Sequence, residues 1–451
     1  MGKYFGTDGF RGEANVKLTV NDAFSVGRFL GWYYGSRHPG VRCRIVIGKD
    51  TRRSSYMFED ALSSGITASG ADAYLMHVTT TPSVSYIARV DGFDCGVMIS
   101  ASHNPYYDNG IKVINGNGEK LGDDVIEKIE DYLDGGIGDI PLAVRDEIGR
   151  TVDYASGRNR YIGYLISIAR NSFKDKHVAL DCANGSASSI AKPVFDALGA
   201  HVHIMGNEPN GLNINDGVGS THIEALQRFV ISEGCDIGFA YDGDADRCLA
   251  VDEKGHVING DQIIYACSLN MKSEGILNKN TAVVTVMSNF GLFRAFEKAG
   301  INYEKTAVGD RFVWENMAKN GYSIGGEQSG HIIFSKNATT GDGILTSIKM
   351  MDVLLESKRT ASALAEDCPM YPQCLKNVRV NDKKAAMNHP DVIKAVERVS
   401  ERLKDSGRIL YRESGTEPLV RVMVEAQTAK ECEELVDEVV AVIRGSGTAA
   451  E

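Results

Sequence analysis

A chain of 451 residues has room for three or four domains of about 100–150 residues, and its 43% hydrophobic and 24% charged content is that of an ordinary globular protein. The formal net charge of −11 argues against a general nucleic-acid binder, so any anionic ligand has to be held by locally concentrated Arg and Lys. No run approaches membrane-spanning length, MGKYFGTDGFRG lacks the apolar core of a signal peptide, and nine cysteines without CxxC spacing read as reduced thiols; a cytoplasmic protein without a membrane partner is expected.

Short β-branched runs alternate with helical patterns along the chain. Residues 44–47 read as a strand, and residues 55–69 then place Phe58, Leu62 and Ile66 on one helical face. Residues 73–78 and 95–99 are a second and a third strand. This βαβ rhythm predicts a mainly parallel sheet with helices on its faces. The glycine-rich stretch 135–149 marks a boundary. After a helix near 153–170, residues 177–181 open a second α/β unit that closes with residues 248–252. A third runs from about Gly260, through a strand at 282–286, to about Pro369. The remaining residues read as α+β: strands at 376–380, 408–411 and 420–425, a helix near 389–403, and a closing helix begun by the capping box Thr428-Ala-Lys-Glu431. The domains expected are therefore 1–150, 151–256, 257–369 and 370–451.

One arrangement recurs. Four times a strand runs into a loop dense in catalytic residue types: SASHNP (100–105), DGDADR (242–247), GEQSGH (326–331) and RESGTEP (412–418). Ligands of α/β sheets collect outside the carboxyl ends of the strands. Four such loops, one per domain, predict four domains around a central cleft.

Asp242, Asp244 and Asp246 alternate along one loop, and hard oxygen ligands without His or Cys point to Mg²⁺ rather than zinc. An EF-hand fits poorly, because Arg247 holds the place where glycine is required and strands flank the loop. An aspartyl-phosphate phosphatase with Asp242 as nucleophile is a second rival, and a solvated acidic turn the bland one. Ser102 beside His103 is weak evidence alone, since most loop serines cap or turn. Next to a metal loop, a phosphorylated Ser102 could coordinate Mg²⁺ and pass its phosphoryl group on. Lys112 could shuttle a proton or stabilise charge if cationic neighbours lower its pKa. Arg412, Ser414, Gly415 and Thr416 combine a guanidinium, two hydroxyls and approachable backbone N–H groups into a phosphate cradle, with Arg421 assisting. Glu327, Ser329 and His331 supply groups that grip sugar hydroxyls. Arg11, Lys49, Arg52, Arg247 and Arg311 sit in or beside glycine-containing turns; each alone reads as a surface charge, but together they would line a basic cleft for a phosphorylated substrate.

FGTDGFRG (5–12), SASHNP with DNGIK (100–112), DGDADR, GEQSGH and RESGTEP come in the order and at the domain-sized spacing of the α-D-phosphohexomutases, which the chain resembles over essentially its whole length. The resemblance implies three related α/β domains with mixed sheets and a C-terminal α+β domain similar to the TATA-binding-protein fold. It implies a phosphoserine at Ser102, with Asp242, Asp244 and Asp246 as the Mg²⁺ ligands beside it. It implies sugar contacts from Glu327, Ser329 and His331, and a distal-phosphate site from Arg412, Ser414, Gly415 and Thr416. His103, Lys112, Arg11 and Arg247 become candidates for proton handling and charge stabilisation. Gln328, residues 308–312 (VGDRF) and residues 340–343 (TGDG) point to the branch acting on glucosamine phosphates. Phe10, Phe312 and Val113-Ile114 depart mildly from the family pattern, which leaves mannose or glucose phosphates as alternatives. The expected reaction interconverts glucosamine 6-phosphate and glucosamine 1-phosphate through a hexosamine 1,6-bisphosphate (or glucose 1,6-bisphosphate as activator), feeding UDP-N-acetylglucosamine and cell-wall synthesis. A homodimer without nucleic-acid partners is the expected assembly. A non-catalytic sugar-phosphate-binding protein is the alternative from another class; the intact Ser102 and triple aspartate count against it.

Overall fold

The computed structural model describes residues 2–6, 8–37, 40–414 and 417–450, which form two units. The first comprises Met1–Met287 and Ile301–Glu366, the second Ser288–Gly300 and Asp367–Glu451.

Three sheets build the first unit, and one four-strand arrangement repeats in each. An opening strand is flanked by a second and a third, both parallel to it, and a fourth returns antiparallel beside the third. These are Arg44–Lys49, Asp72–Val78, Cys95–Ile99 and Asp108–Asn115 in the first sheet. In the second sheet they are His177–Asp181, His201–Met205, Ile237–Tyr241 and Cys248–Asp252. Thr281–Thr285, Asn302–Thr306, Ile324–Gly326 and Ile332–Phe334 form the third. The sheets are thus mixed, and the mainly parallel sheet expected from the βαβ rhythm is corrected by the returning strands. Every residue of the third strand Cys95–Ile99, and of its counterpart Ile237–Tyr241, is buried. That explains why both read as unbroken apolar runs rather than as alternation.

The first sheet extends further than its sequence boundary. Thr151–Asp153 pairs in parallel with Asp72–Val78 and closes that edge. Asp72 accepts the Arg150 N–H at 2.8 Å, and the Arg150 carbonyl accepts from Ala73 at 2.9 Å, which draws this segment onto the sheet. Residues 151–153, which begin the expected domain 151–256, therefore pair with the first sheet.

Asp342 ties two helices together. It caps the helix Gly343–Ser357, accepting from Leu345 N at 2.9 Å, and takes the Tyr161 hydroxyl of the helix Ala155–Ile168 at 2.7 Å. Burial outweighs these hydrogen bonds and pushes its carboxyl from 3.8 up to about 6. Between those values the folded state holds a proton that the unfolded chain lacks, so this group's contribution to stability falls as pH rises through the interval and levels off above about 6. Asp342→Asn keeps a capping side chain without the charge. Relative to the parent, the variant should gain stability between pH 4 and 6, on the order of 2 kcal/mol, and hold the gain above that, as read by urea melts across pH.

In the second unit Gln373–Arg379, Leu419–Glu425 and Arg408–Glu413 form an antiparallel sheet with Leu419–Glu425 in the middle. Val420, Val422 and Val424 pack with Val392 and Val399 of the helix Pro390–Arg402 and with Leu435, Val439 and Ile443 of the helix Ala429–Gly445. Glu425 reaches a further helix of the unit, Phe290–Ala299, by accepting from Phe290 N at 2.8 Å while it pairs with Arg408 at 2.7 Å. Among the described residues no helix is long and apolar enough to cross a membrane.

Candidate active site

Three of the four motif loops occupy equivalent places, each joining a third strand to its antiparallel return. The fold brings them together in the first unit. Ser102 stands just after Cys95–Ile99 in the left-handed region, at φ 53°. That conformation costs a non-glycine residue roughly 1–2 kcal/mol and is held by local bonds. The Ser102 N–H donates to Ser100 Oγ at 2.9 Å, and the Ser102 carbonyl accepts from Arg52 at 3.2 Å and from Asn215 Nδ2 at 2.9 Å. The same two side chains take the Asn104 carbonyl at 2.5 and 3.0 Å. Arg52 is fully buried and paired with Asp50, and Lys49 is buried against Glu59. Neither lines a basic cleft as the sequence suggested; the buried carboxylates claim both. Arg52 braces the serine loop instead.

The aspartate loop meets this serine directly. Ser102 Oγ donates to Asp242 Oδ2 at 2.6 Å and lies 3.2 Å from His103 Nδ1. Gly243 permits the approach, because a Cβ there would fall 2.5 Å from the Ser102 carbonyl oxygen. Oxygens of Asp242, Asp244 and Asp246 lie within 4.8 Å of one another, all buried. Asp244 Oδ1 and Asp246 Oδ1 have no hydrogen-bond partner among the described residues. Burial, and then the charges of Asp246 and Asp244, push the Asp242 carboxyl up to about 8. Three buried carboxylates, two of them with an orphaned oxygen, make a donor set suited to a hard divalent cation. His103 is shifted the other way: burial, then Arg247 and Arg11, lower it to about 4, so its imidazole is neutral at pH 7.

Lys112 is the clearest correction. Its Nζ sits 2.7 Å from Asp244, 3.1 Å from Asp8 and 3.5 Å from Asp246. Burial opposes the charge, but these carboxylates outweigh it and raise the pKa above that of an ordinary lysine. The expected lowering by cationic neighbours does not occur, and Lys112 is a fixed positive charge. His331 also departs from expectation. It is 3% exposed, accepts the Gly341 N–H on Nε2 at 2.9 Å and presents Nδ1 3.8 Å from Asp246, so it braces the aspartate loop rather than facing a sugar. Arg311 pairs with Asp123 at 2.5 Å and with Glu315 at 2.8 Å, which leaves it poorly placed to receive a substrate phosphate. Ser329 is exposed and Glu327 half-buried, with one Glu327 oxygen on Gly309 N at 3.0 Å, so both stay open to a ligand. Arg11 pairs with Asp8, and Arg11 Nε and Arg247 Nε are buried without partners among the described residues.

The fourth loop belongs to the second unit. Arg412 and Arg421 are directly opposed across neighbouring strands. Burial, then the charge of Arg421, lowers the Arg412 pKa. Arg421 leans on Glu417 at 3.4 Å, while Ser414 is buried with its carbonyl held by Lys383 Nζ at 2.8 Å. Gly415 and Thr416 lie outside the described residues.

Sequence reading did not single out Asn215, Asp8, Lys120, Asp310 or Thr81, whose N–H and hydroxyl both donate to Asp244. Asp8 and Asp310 do fall inside the quoted motifs FGTDGFRG and VGDRF, which was the available signal. Asn215 and Thr81 carry none, because only folding brings them to the loops.

Models of the four phosphoglucomutase/phosphomannomutase domains match in order: alpha/beta/alpha domain I at residues 2–136, II at 159–255, III at 259–371 and the C-terminal domain at 375–442. A phosphoglucosamine mutase of Lachnospira eligens is 64% identical over 449 residues and covers 100% of both chains. One from Bacillus subtilis is 50% identical over 444 residues, 98% of this chain and 99% of its own. Among solved structures, an N-acetylphosphoglucosamine mutase of Aspergillus fumigatus, in complex with GlcNAc-6P and magnesium, shares the fold with a TM-score of 0.69. Its sequence is 20% identical, over 99% of this chain and 96% of that one. The repeated hairpin loops, the order of the four domains and relatives matched from end to end lead to one assignment: the chain belongs to the phosphoglucomutase/phosphomannomutase family, the α-D-phosphohexomutases.

Proposed function

We propose that the protein interconverts glucosamine 6-phosphate and glucosamine 1-phosphate, with Ser102 as the phosphoryl carrier and Asp242, Asp244 and Asp246 as ligands of Mg²⁺. The observation that carries this reading is the 2.6 Å contact between Ser102 Oγ and Asp242, which joins the serine and aspartate loops in one buried site. The names of the full-length relatives supply the amino sugar.

Phosphorylated Ser102 gives its phosphoryl group to the free hydroxyl of the sugar monophosphate. The bond from phosphorus to Ser102 Oγ breaks, a bond to the sugar oxygen forms, and the sugar hydroxyl proton ends on the freed Ser102 Oγ. The resulting 1,6-bisphosphate turns end over end, and its other phosphoryl group returns to Ser102. When bound at the aspartates, Mg²⁺ supplies charge neutralisation for the transferring group. Lys112 adds a permanent positive charge there, held against Asp244. Neutral His103, 3.2 Å from Ser102 Oγ, is placed to hold the serine proton in the return step. Arg412 and Arg421 grip the phosphate that is not reacting, and they can serve either end of the sugar because both ends present the same dianion.

Comparing kcat/KM for the 6-phosphates of glucosamine, glucose and mannose tests the substrate. Glucosamine should lead; a clear preference for mannose would overturn the choice of sugar while leaving the phosphotransfer intact.

A further inference from the structure

Lys112 holds two of the three aspartates that a divalent cation would need, at 2.7 and 3.5 Å. A cation and this ammonium therefore compete for Asp244 and Asp246, and Lys112 needs another partner when the cation arrives. That partner is present. Asp8 immediately precedes the strand Gly9–Glu13, which pairs with the strand carrying Lys112. Its Oδ2 sits 3.1 Å from Lys112, while its Oδ1 is 2.7 Å from Lys120 Nζ. Lys120 is in turn bound to both oxygens of Asp310 at 2.6 and 2.8 Å, at the start of the helix Asp310–Asn320. The result is a line of alternating charge, Asp310, Lys120, Asp8, Lys112, ending on the aspartate loop. It crosses from the third sheet's domain to the first and then to the second. Asp8 is shared among Lys120, on Oδ1, and Lys112 and Arg11, both on Oδ2, so how firmly it draws Lys112 depends on how much of it Lys120 and Arg11 take.

We propose that Asp8, Lys120 and Asp310 are positioning residues that set how hard Lys112 competes with a divalent cation for Asp244 and Asp246. The proposal rests on the metal site proposed above. It has a signed consequence at each step. Asp8→Asn leaves Lys112 only the aspartate loop, so cation binding weakens, by roughly tenfold. Lys120→Met frees Asp8 to draw Lys112 away, and binding tightens by about threefold. Asp310→Asn gives Lys120 wholly to Asp8, so binding weakens, but less than with Asp8→Asn; Asp310 also faces His331 Nε2 at 3.3 Å, and His331 Nδ1 lies 3.8 Å from Asp246, so the part of this effect carried by Lys112 is the part lost in a Lys112→Met background.

Plain through-space attraction between these charges and the cation would produce the same signs. The two accounts separate in a Lys112→Met background. If the line of charge acts through Lys112, removing that ammonium should reduce the Asp8→Asn effect to less than about twofold. If it acts through space, the tenfold loss should persist.

The measurement is Mn²⁺ binding to the full chain, read from the paramagnetic resonance of free Mn²⁺ with no turnover required. Thermal melts confirm that each variant folds; should Asp8→Asn fail to fold, Lys120→Met with and without Lys112→Met makes the same cycle with the opposite sign. A non-additive cycle is the expected result. Additive effects in a wild type that binds Mn²⁺ would overturn the positioning role alone. A wild type that binds no Mn²⁺ would overturn the metal site and this role together.

Discussion

Ser102→Ala is expected to lose mutase activity by a factor on the order of 10⁴–10⁶, with the fold intact. In the proposed mechanism the serine oxygen releases one phosphoryl group and takes one back in each cycle, and no rearrangement of the loop replaces it. Two features make the result interpretable. First, the loop is fixed through the carbonyls of Ser102 and Asn104, which Arg52 and Asn215 hold, so truncating the side chain leaves those bonds in place. Second, residue 102 has φ 53°, where alanine carries the same strain as serine and glycine carries none. Ser102→Gly should therefore be at least as stable as Ser102→Ala and equally inactive. If instead Asp242 were the nucleophile of a phosphatase, either variant would keep its activity.

Arg412→Ala is expected to raise KM for the sugar phosphate by roughly 10²–10³-fold, because a charge-assisted anion contact is lost from a partly buried site. Arg412 and Arg421 face one another across two strands, and burial together with that repulsion already disfavours the Arg412 charge. An incoming dianion relieves both terms, which is why the pair should bind phosphate more strongly than two isolated surface arginines. Removing Arg412 should also relieve Arg421, so the stability of the second unit should hold or rise slightly while substrate binding falls. Ser102 should remain competent to be phosphorylated. Steady-state kinetics with a parallel thermal melt checks both halves of the prediction.

Much of this was legible in the sequence. The third strand of the first sheet, 95–99, and the opening strand of the second, 177–181, were found to the residue, because short continuous apolar runs bounded by turn signals favour a buried strand. Their loops were legible for a related reason: Ser102, the three aspartates and Arg412 are dense local motifs. Of the returning strands only residues 248–252 were placed; Asp108–Asn115 and Ile332–Phe334 were not, since they look like any short β-branched segment, and the antiparallel direction of all three is a property of the sheet. Electrostatic roles failed most instructively. Lys112 was read as a proton shuttle on the condition that cationic neighbours lowered its pKa, yet its nearest neighbours are Asp244 and Asp246 of the aspartate loop and Asp8 of the N-terminal segment. Lys49 and Arg52 likewise looked like cleft charges until Glu59 and Asp50 were seen beside them. Charge pairing depends on distances between residues far apart in the chain, whereas a strand or a motif announces itself locally.

The central claim is that Ser102 parks a phosphoryl group between two sugar positions. Incubating the protein and Mg²⁺ with glucose 1,6-bisphosphate radiolabelled in its phosphates, then quenching rapidly and mapping the labelled peptide, tests it most directly. The label should appear on Ser102 and should move into sugar phosphate when unlabelled glucosamine 6-phosphate is added, at a rate no slower than turnover. Label on Asp242, or release of inorganic phosphate with Ser102 unlabelled, would contradict it.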